Sequence, residues 1–408
     1  MDKKQPGIFS LTVIVGALGF FVDVYDLLLF SIVRRPSLKA LGLSPQEILS
    51  KGELIISIQM IGLVIGGIIW GVIGDKKGRL SVLFGSILIY SLANIANGMV
   101  TNVTQYTIMR FIAGVGLAGE LGASITLVSE MLPKEKRGIA ASIIATVGVF
   151  GAVTAFFVYK LFGDWRICFY IGGGMGLLLL LLRVSIFESG LYHEIKKQNV
   201  KRGSLMMLFR SKDRMLRYMK GVFIGLPVWY VIGILITFSD EFGKRFGISN
   251  IDPGKAIMYQ YIAIGVGDMS AGLLSNYLKS RKKVLFIFYG ICSFFIVLFF
   301  MQSGGSATTM YILIACLGFG SGFSILYITM SAEQFGTNLR ATTAISIPNV
   351  VRGFLPLMIL MFKGLRWLTN DNYLLSAEIT GAIIMGVAVV SAYYTKESFG
   401  NDMNFIEE

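Results

Sequence analysis

Gly19-Phe20-Phe21-Val22-Asp23-Val24-Tyr25-Asp26-Leu27 lies inside the apolar run Ile8–Val33. About 20 apolar residues cross the hydrocarbon core of a bilayer as a helix, so the run predicts a membrane span. Carboxylates inside such a span are costly unless paired, hydrated or protonated, which makes Asp23 and Asp26 functional candidates by default. Met1–Gly7 is short and polar, and the run behind it is too long for the core of a cleaved signal peptide. The expectation is a first transmembrane helix.

The same texture repeats along the 408 residues: 54% are hydrophobic, only 15% are charged, and the mean hydropathy is +0.70. Twelve spans are expected, at 8–33, 52–73, 80–100, 105–130, 139–161, 166–187, 218–239, 255–278, 284–303, 308–332, 341–362 and 373–395. The longest polar break, 188–217, divides them into an N-terminal six-helix bundle (1–187), a cytoplasmic linker (188–217) and a C-terminal six-helix bundle (218–408). The fold class is an all-α membrane protein with two pseudo-symmetric bundles. A repeat supports this: Ser129-Glu130-Met-Leu-Pro-Lys-Glu-Lys-Arg137-Gly138 parallels Ala332-Glu333-Gln-Phe-Gly-Thr-Asn-Leu-Arg340-Ala341. In a 6+6 plan, substrate is held near the midplane between the halves.

The net charge of +13 is not a nucleic-acid signature, because the basic residues lie mainly between spans and on one side. The side of the N-terminus carries 23 Lys and Arg, and the opposite side carries 11. By the positive-inside rule both termini and the linker are cytoplasmic, with Arg34-Arg35 a local exception on the outside. Compact loops suggest a bacterial inner membrane. Cys168, Cys292 and Cys316 fall inside apolar spans and read as packing thiols. The single histidine, His193, is in the linker, so intramembrane proton chemistry must use carboxylates. No metal-ligand cluster, nucleophile–base arrangement or nucleotide-binding loop is visible, so neither an enzyme nor an ATP-driven pump is expected, and no cofactor.

Gly71-Val-Ile-Gly74-Asp75-Lys76-Lys77-Gly78-Arg79 follows the second span, and Arg110-Phe-Ile-Ala-Gly114 lies in the fourth. The first resembles the GxxxDxxGR loop signature of the major facilitator superfamily, and the second its RxxxG signature. The resemblance implies a cytoplasmic gate built from Asp75, Arg79, Glu130 and Arg137, with Glu333 and Arg340 as the second-half counterpart. The second-half loop has Asn276 where the signature has Asp. The first span is similar to the GFFxDxYDL pattern of phosphate:proton symporters. Gly119-Glu120-Leu-Gly-Ala-Ser124 resembles their fourth-span signature, with Glu120 where they have Asp. Metabolite:proton and aromatic-acid:proton symporters carry similar text. The glutamine pairs of sugar porters and the Gly-Pro motif of drug antiporters are absent.

Depth arithmetic suggests a mechanism. At ~1.5 Å per residue, Asp23 and Asp26 lie about 60–70% of the way across the outward-running first span. Arg110 of the inward-running fourth span lies near the same depth, and Glu120 nearer the middle. A pair between Arg110 and one of the two aspartates, across spans one and four, is expected. Related symporters pair these positions, so the resemblance implies proton coupling by Asp23, Asp26, Arg110 and Glu120. The depth match favours Asp26, but either aspartate can carry the proton. Arg352 and Asp268, both mid-span, either neutralise each other or bind an anionic substrate through the arginine's planar fork, with Asp268 orienting it. Arg183, near the inner end of span six, is expected to snorkel. Tyr25, Gln59, Trp229, Tyr230 and Asn349 are further candidates for the substrate pocket.

The expected function is proton-coupled symport of a small anionic metabolite, an organic acid or phosphate, by a monomer whose partners are its substrate, protons and lipid. A sugar or polyol porter, an exporter and a non-transporting receptor are the alternatives.

Overall fold

The computed structural model describes residues 11–77, 79–120, 122, 124, 134–188, 205–400 and 407. Every described element is a helix. The first half comprises α1 (Leu11–Ala40), α2 (Pro45–Lys77), α3 (Arg79–Met99), α4 (Val103–Leu117), α5 (Lys134–Phe162) and α6 (Trp165–Glu188). A short α7 (Leu205–Arg210) precedes α8 (Lys212–Tyr230), which continues as a π-helical stretch, Val231–Ile236. Then come α9 (Ser239–Arg245), α10 (Pro253–Tyr277), α11 (Arg281–Phe300), α12 (Ala307–Gly320), α13 (Ser324–Glu333), α14 (Thr337–Gly353), α15 (Leu355–Leu368) and α16 (Tyr373–Tyr393). Among the described residues, ten stretches are long and apolar enough to cross a membrane. The expected fourth span is described only in part, and α10 is long enough but too polar to be among the ten.

Helix starts follow local chemistry. Asn102, Asp252, Ser280, Ser306 and Asn372 cap α4, α10, α11, α12 and α16, each accepting a backbone N–H of the first turn. At α2, Ser44 and Glu47 form a reciprocal capping box, with Ser44 N–H donating to Glu47 at 2.9 Å. Glycine sets how closely helices approach in one seam above all. A Cβ on Gly114 of α4 would stand 2.2 Å from the Gln59 carbonyl of α2, and one on Gly66 of α2 2.3 Å from the Val115 carbonyl of α4. The two backbones therefore touch, as small residues permit in membrane bundles.

Within the first half α1 packs on α5, α2 on α4 and α3 on α6; within the second, α10 packs on α12 and α8 on α16. Across the halves, α2 meets α14 and α5 meets α10.

Three spans depart from simple helices. The first helix continues to Ala40, past the expected end at Val33, so Arg34 and Arg35 ride on its C-terminal part. The expected tenth span breaks at Ser321–Phe323, where Gly322 lies against the backbone of Gly267 and Asp268. Irregular backbone at membrane depth is tolerated where protein satisfies it, and here the Asp268 carboxylate accepts the Ile325 N–H at 3.1 Å. The expected eleventh span is interrupted at Phe354, next to Arg352, with Pro356 in the first turn of α15.

Candidate functional site

Six of the buried charged residues, Asp23, Asp26, Arg110, Glu120, Arg183 and Arg352, form three groups. In the first, Arg110 Nη1 donates to Asp26 Oδ1 at 3.1 Å and to Asn94 Oδ1 at 3.2 Å. Its Nη2 donates to the Asp26 carbonyl at 3.1 Å, and its Nε to Gln59 Oε1 at 3.3 Å. Gln59 in turn donates to the Leu27 carbonyl, and the guanidinium lies over the Phe169 ring. The expected pair between spans one and four is present. Both side chains are fully buried, and the guanidinium's donors are spread over four acceptors.

In the second group, Arg183 and Glu120 form a close ion pair, both wholly buried. Arg183 also donates to the carbonyls of Leu83 and Val15, and Ser124 donates to Glu120 at 3.2 Å. This corrects the expectation that Arg183 snorkels. Its partner Glu120 lies just after α4, so the charge is met inside the protein. Glu120 accordingly faces Arg183 rather than Arg110.

The third group joins the two halves. Arg352 Nη1 lies 3.9 Å from Asp23 Oδ2, beyond hydrogen-bond distance. Among the described residues Arg352 makes one long hydrogen bond, 3.5 Å to Asn349 Oδ1, and stands over the Trp229 ring. Asn349 Nδ2 donates to the Ala118 carbonyl of the first half at 2.7 Å. Among the described residues, neither Asp23 oxygen accepts a hydrogen bond. The expected Asp268–Arg352 pair is therefore replaced by Asp23–Arg352, because Asp268 is engaged by the backbone at the break before α13.

Two pocket candidates are structural. Tyr25 donates to the Cys168 carbonyl at 2.9 Å and Tyr230 to the Ala377 carbonyl at 2.7 Å, each tying helices of one half. Gln59 supports Arg110, while Trp229 and Asn349 adjoin Arg352. Tyr261 and Tyr327, both buried, also lie within electrostatic reach of Arg352. Tyr327 was not singled out in the sequence, although it follows the glycine-rich break at Gly318–Gly322 by one helical turn.

On the expected outer side, the Arg34-Arg35 exception is resolved by partners in the second half. Arg34 pairs with Asp240 at 3.2 Å, and Arg35 pairs with both Asp240 and Glu241. Lys363 pairs with Glu53 nearby. On the expected inner side, the side chains of Asp75, Arg79, Glu130, Arg137 and Arg340 lie outside the described residues. Glu333 accepts from Arg281 at 3.3 Å and from Ser398 at 2.6 Å. Arg281 also donates to Asn276, so the loop that lacks the signature aspartate retains a charged link.

Two helical bundles that meet around a charged midplane define the architecture of a secondary transporter. Residues 8–361 match the Major Facilitator Superfamily, and the chain belongs to it. It is similar to the benzoate transport protein of Acinetobacter baylyi, 25% identical over 385 residues, covering 84% of this chain and 80% of the relative. The niacin transporter NiaP of the same organism is 27% identical over 371 residues, covering 82% and 81%. A solved structure of the proton:xylose symporter XylE superposes with a TM-score of 0.71 over 96% of this chain and 97% of that one, at 18% identity, which shows a shared fold.

Proposed function

We propose that the chain is a proton-coupled carrier of small organic anions, working by alternating access in a bacterial inner membrane. Both termini face the cytoplasm, and the two six-helix bundles rock about the midplane. The observation that carries this reading is Arg352: a buried cation at the junction of the halves with, among the described residues, no carboxylate in hydrogen-bond contact. A guanidinium presents a planar fork suited to a carboxylate, and Trp229 beside it offers an apolar face. The benzoate, niacin and gentisate transporters among its relatives are named for compounds of this chemistry. Carboxylates on α1 supply the proton sites.

The test is reconstitution in liposomes with benzoate, nicotinate, muconate, phosphate and xylose, with and without an inward pH gradient. Accumulation of an organic anion driven by the gradient supports the reading. Transport of xylose or phosphate alone overturns the substrate assignment, and gradient-independent flux overturns the coupling.

A further inference from the structure

We infer that Asp23 occupies the place of the substrate's carboxylate beside Arg352, and that an arriving organic anion displaces it and leaves Asp23 to take up a proton. This rests on the reading above and names how binding and proton uptake are joined.

The geometry of the three buried pairs carries it. Arg110 and Arg183 are each enclosed by several acceptors at hydrogen-bond distance. Each spends four of its five N–H donors on these acceptors, which hold the guanidinium in place. Arg352 differs, because its nearest carboxylate is at 3.9 Å and belongs to the opposite half. Asp23 is fully buried, and neither of its oxygens accepts a hydrogen bond among the described residues. An ion desolvated in this way is held almost entirely by its counter-charge. A carboxylate that reached Arg352 in bidentate contact would outcompete one that touches it only across a gap.

The groups that feel Asp23 make the consequence specific. Asp26 on α1, Glu120 after α4, Tyr90 on α3, Tyr261 on α10 and Arg352 on α14 all lie within its electrostatic reach. Arg110 and Arg183 are engaged by Asp26 and Glu120. Once an incoming anion takes Arg352, no unengaged cation of this set remains for Asp23. It is neutralised by a proton delivered from the side open to solvent. The resting site holds one anion and one cation. The loaded site holds the substrate anion, the cation and a neutral acid, so its charge is unchanged. A monocarboxylate and one proton therefore cross together without net charge movement.

The experiment uses the full-length protein in nanodiscs, with benzoate, nicotinate and muconate as probes and titration calorimetry across pH 5–8. For wild type, the Kd for the bound probe should rise by about tenfold per pH unit once Asp23 must be protonated for binding. About one proton should be taken up per anion in weak buffer. Asp23→Asn removes no hydrogen bond that the described residues make. It should bind the probe with a flat pH profile, more tightly than wild type at pH 8, and with no proton uptake. In liposomes it should exchange anion for anion but not accumulate it. Wild-type accumulation of a monocarboxylate should follow the pH gradient and ignore the membrane potential.

Two results overturn the inference while leaving the transport function standing. One is Asp23→Asn with a wild-type pH profile. The other, independent of any variant, is wild-type binding without proton uptake. Wild type that binds none of the three anions sinks the proposed function and this inference with it.

Discussion

Arg34 of α1 and Asp240 of α9 are 3.2 Å apart, both almost wholly buried, and they join the two halves at the end expected to face outward. Arg34 also donates to the Thr237 carbonyl, lies over the Phe238 ring, and shares Asp240 with Arg35. Removing one partner of a buried pair strands the other charge at a cost of about 3–5 kcal/mol. Asp240→Asn should therefore shift the carrier towards an outward-open state. Spin labels at exposed Lys39 and Ser249 should give a new, longer distance population by electron–electron double resonance. An unchanged distribution would show that this cluster does not hold the outer side closed.

The outer cluster should also survive acidification. Burial opposes ionisation of Glu241, but its hydrogen bonds and charge contacts with Lys244 and Arg35 outweigh it and hold the carboxyl below the ordinary glutamate value of 4.5. A depressed carboxyl contributes its stabilisation above the unfolded value and loses it only as the pH falls through the folded one. The Lys39–Ser249 label distance, with Asp240, Glu241 and Lys244 intact, should thus be constant from pH 8 to pH 5 and lengthen only below the ordinary glutamate range. A transition near pH 6 would contradict this.

Asp26→Asn and Asp23→Asn should separate folding from coupling. The first leaves Arg110 buried without its counter-ion, for a loss of about 3–5 kcal/mol. It should lower the thermal midpoint in detergent and the yield of monodisperse protein. Asp23→Asn loosens only a 3.9 Å contact that makes no hydrogen bond, and should lower both by less. Equal destabilisation by the two would mean that the Asp23–Arg352 contact is a structural tie.

The α2–α4 seam predicts a contrast between glycines. Gly114→Ala drives a methyl to within 2.2 Å of the Gln59 carbonyl, whereas a Cβ on Gly174 meets nothing within 4 Å. The first should abolish most folded protein on size-exclusion chromatography, and the second should leave it unchanged. Tolerance of Gly114→Ala would mean that the two backbones do not approach this closely in the membrane.

Within one half, much of the site was legible in the sequence. Asp26 and Arg110 lie at matching depths on spans one and four, and residue counting put Arg110 level with both aspartates and slightly favoured Asp26. Between the halves the same counting failed. It paired Arg352 with Asp268 because both were mid-span in the second half. Which face of α14 looks towards α1 depends on packing that no single span encodes, and Asp268 was drawn away by a helix break that hydropathy does not register. Arg183 misled for a related reason. Its position near a helix end suited snorkelling, while its partner Glu120 lay just after α4. The Arg34-Arg35 pair was visible as an exception to the charge rule, but its explanation lay some 200 residues along the chain, at Asp240 and Glu241.

The first helix carries Asp23, Asp26, Arg34 and Arg35 on one unbroken stretch from Leu11 to Ala40. Asp23 and Arg34 are separated by about 16 Å of helix rise, and each meets the opposite half, at Arg352 and at Asp240. A stiff rod gripped at two points cannot tilt at one without levering the other. The molecule would then need no relay of intermediate residues to tell its outer rim whether the midplane is occupied, because the same piece of backbone reports both.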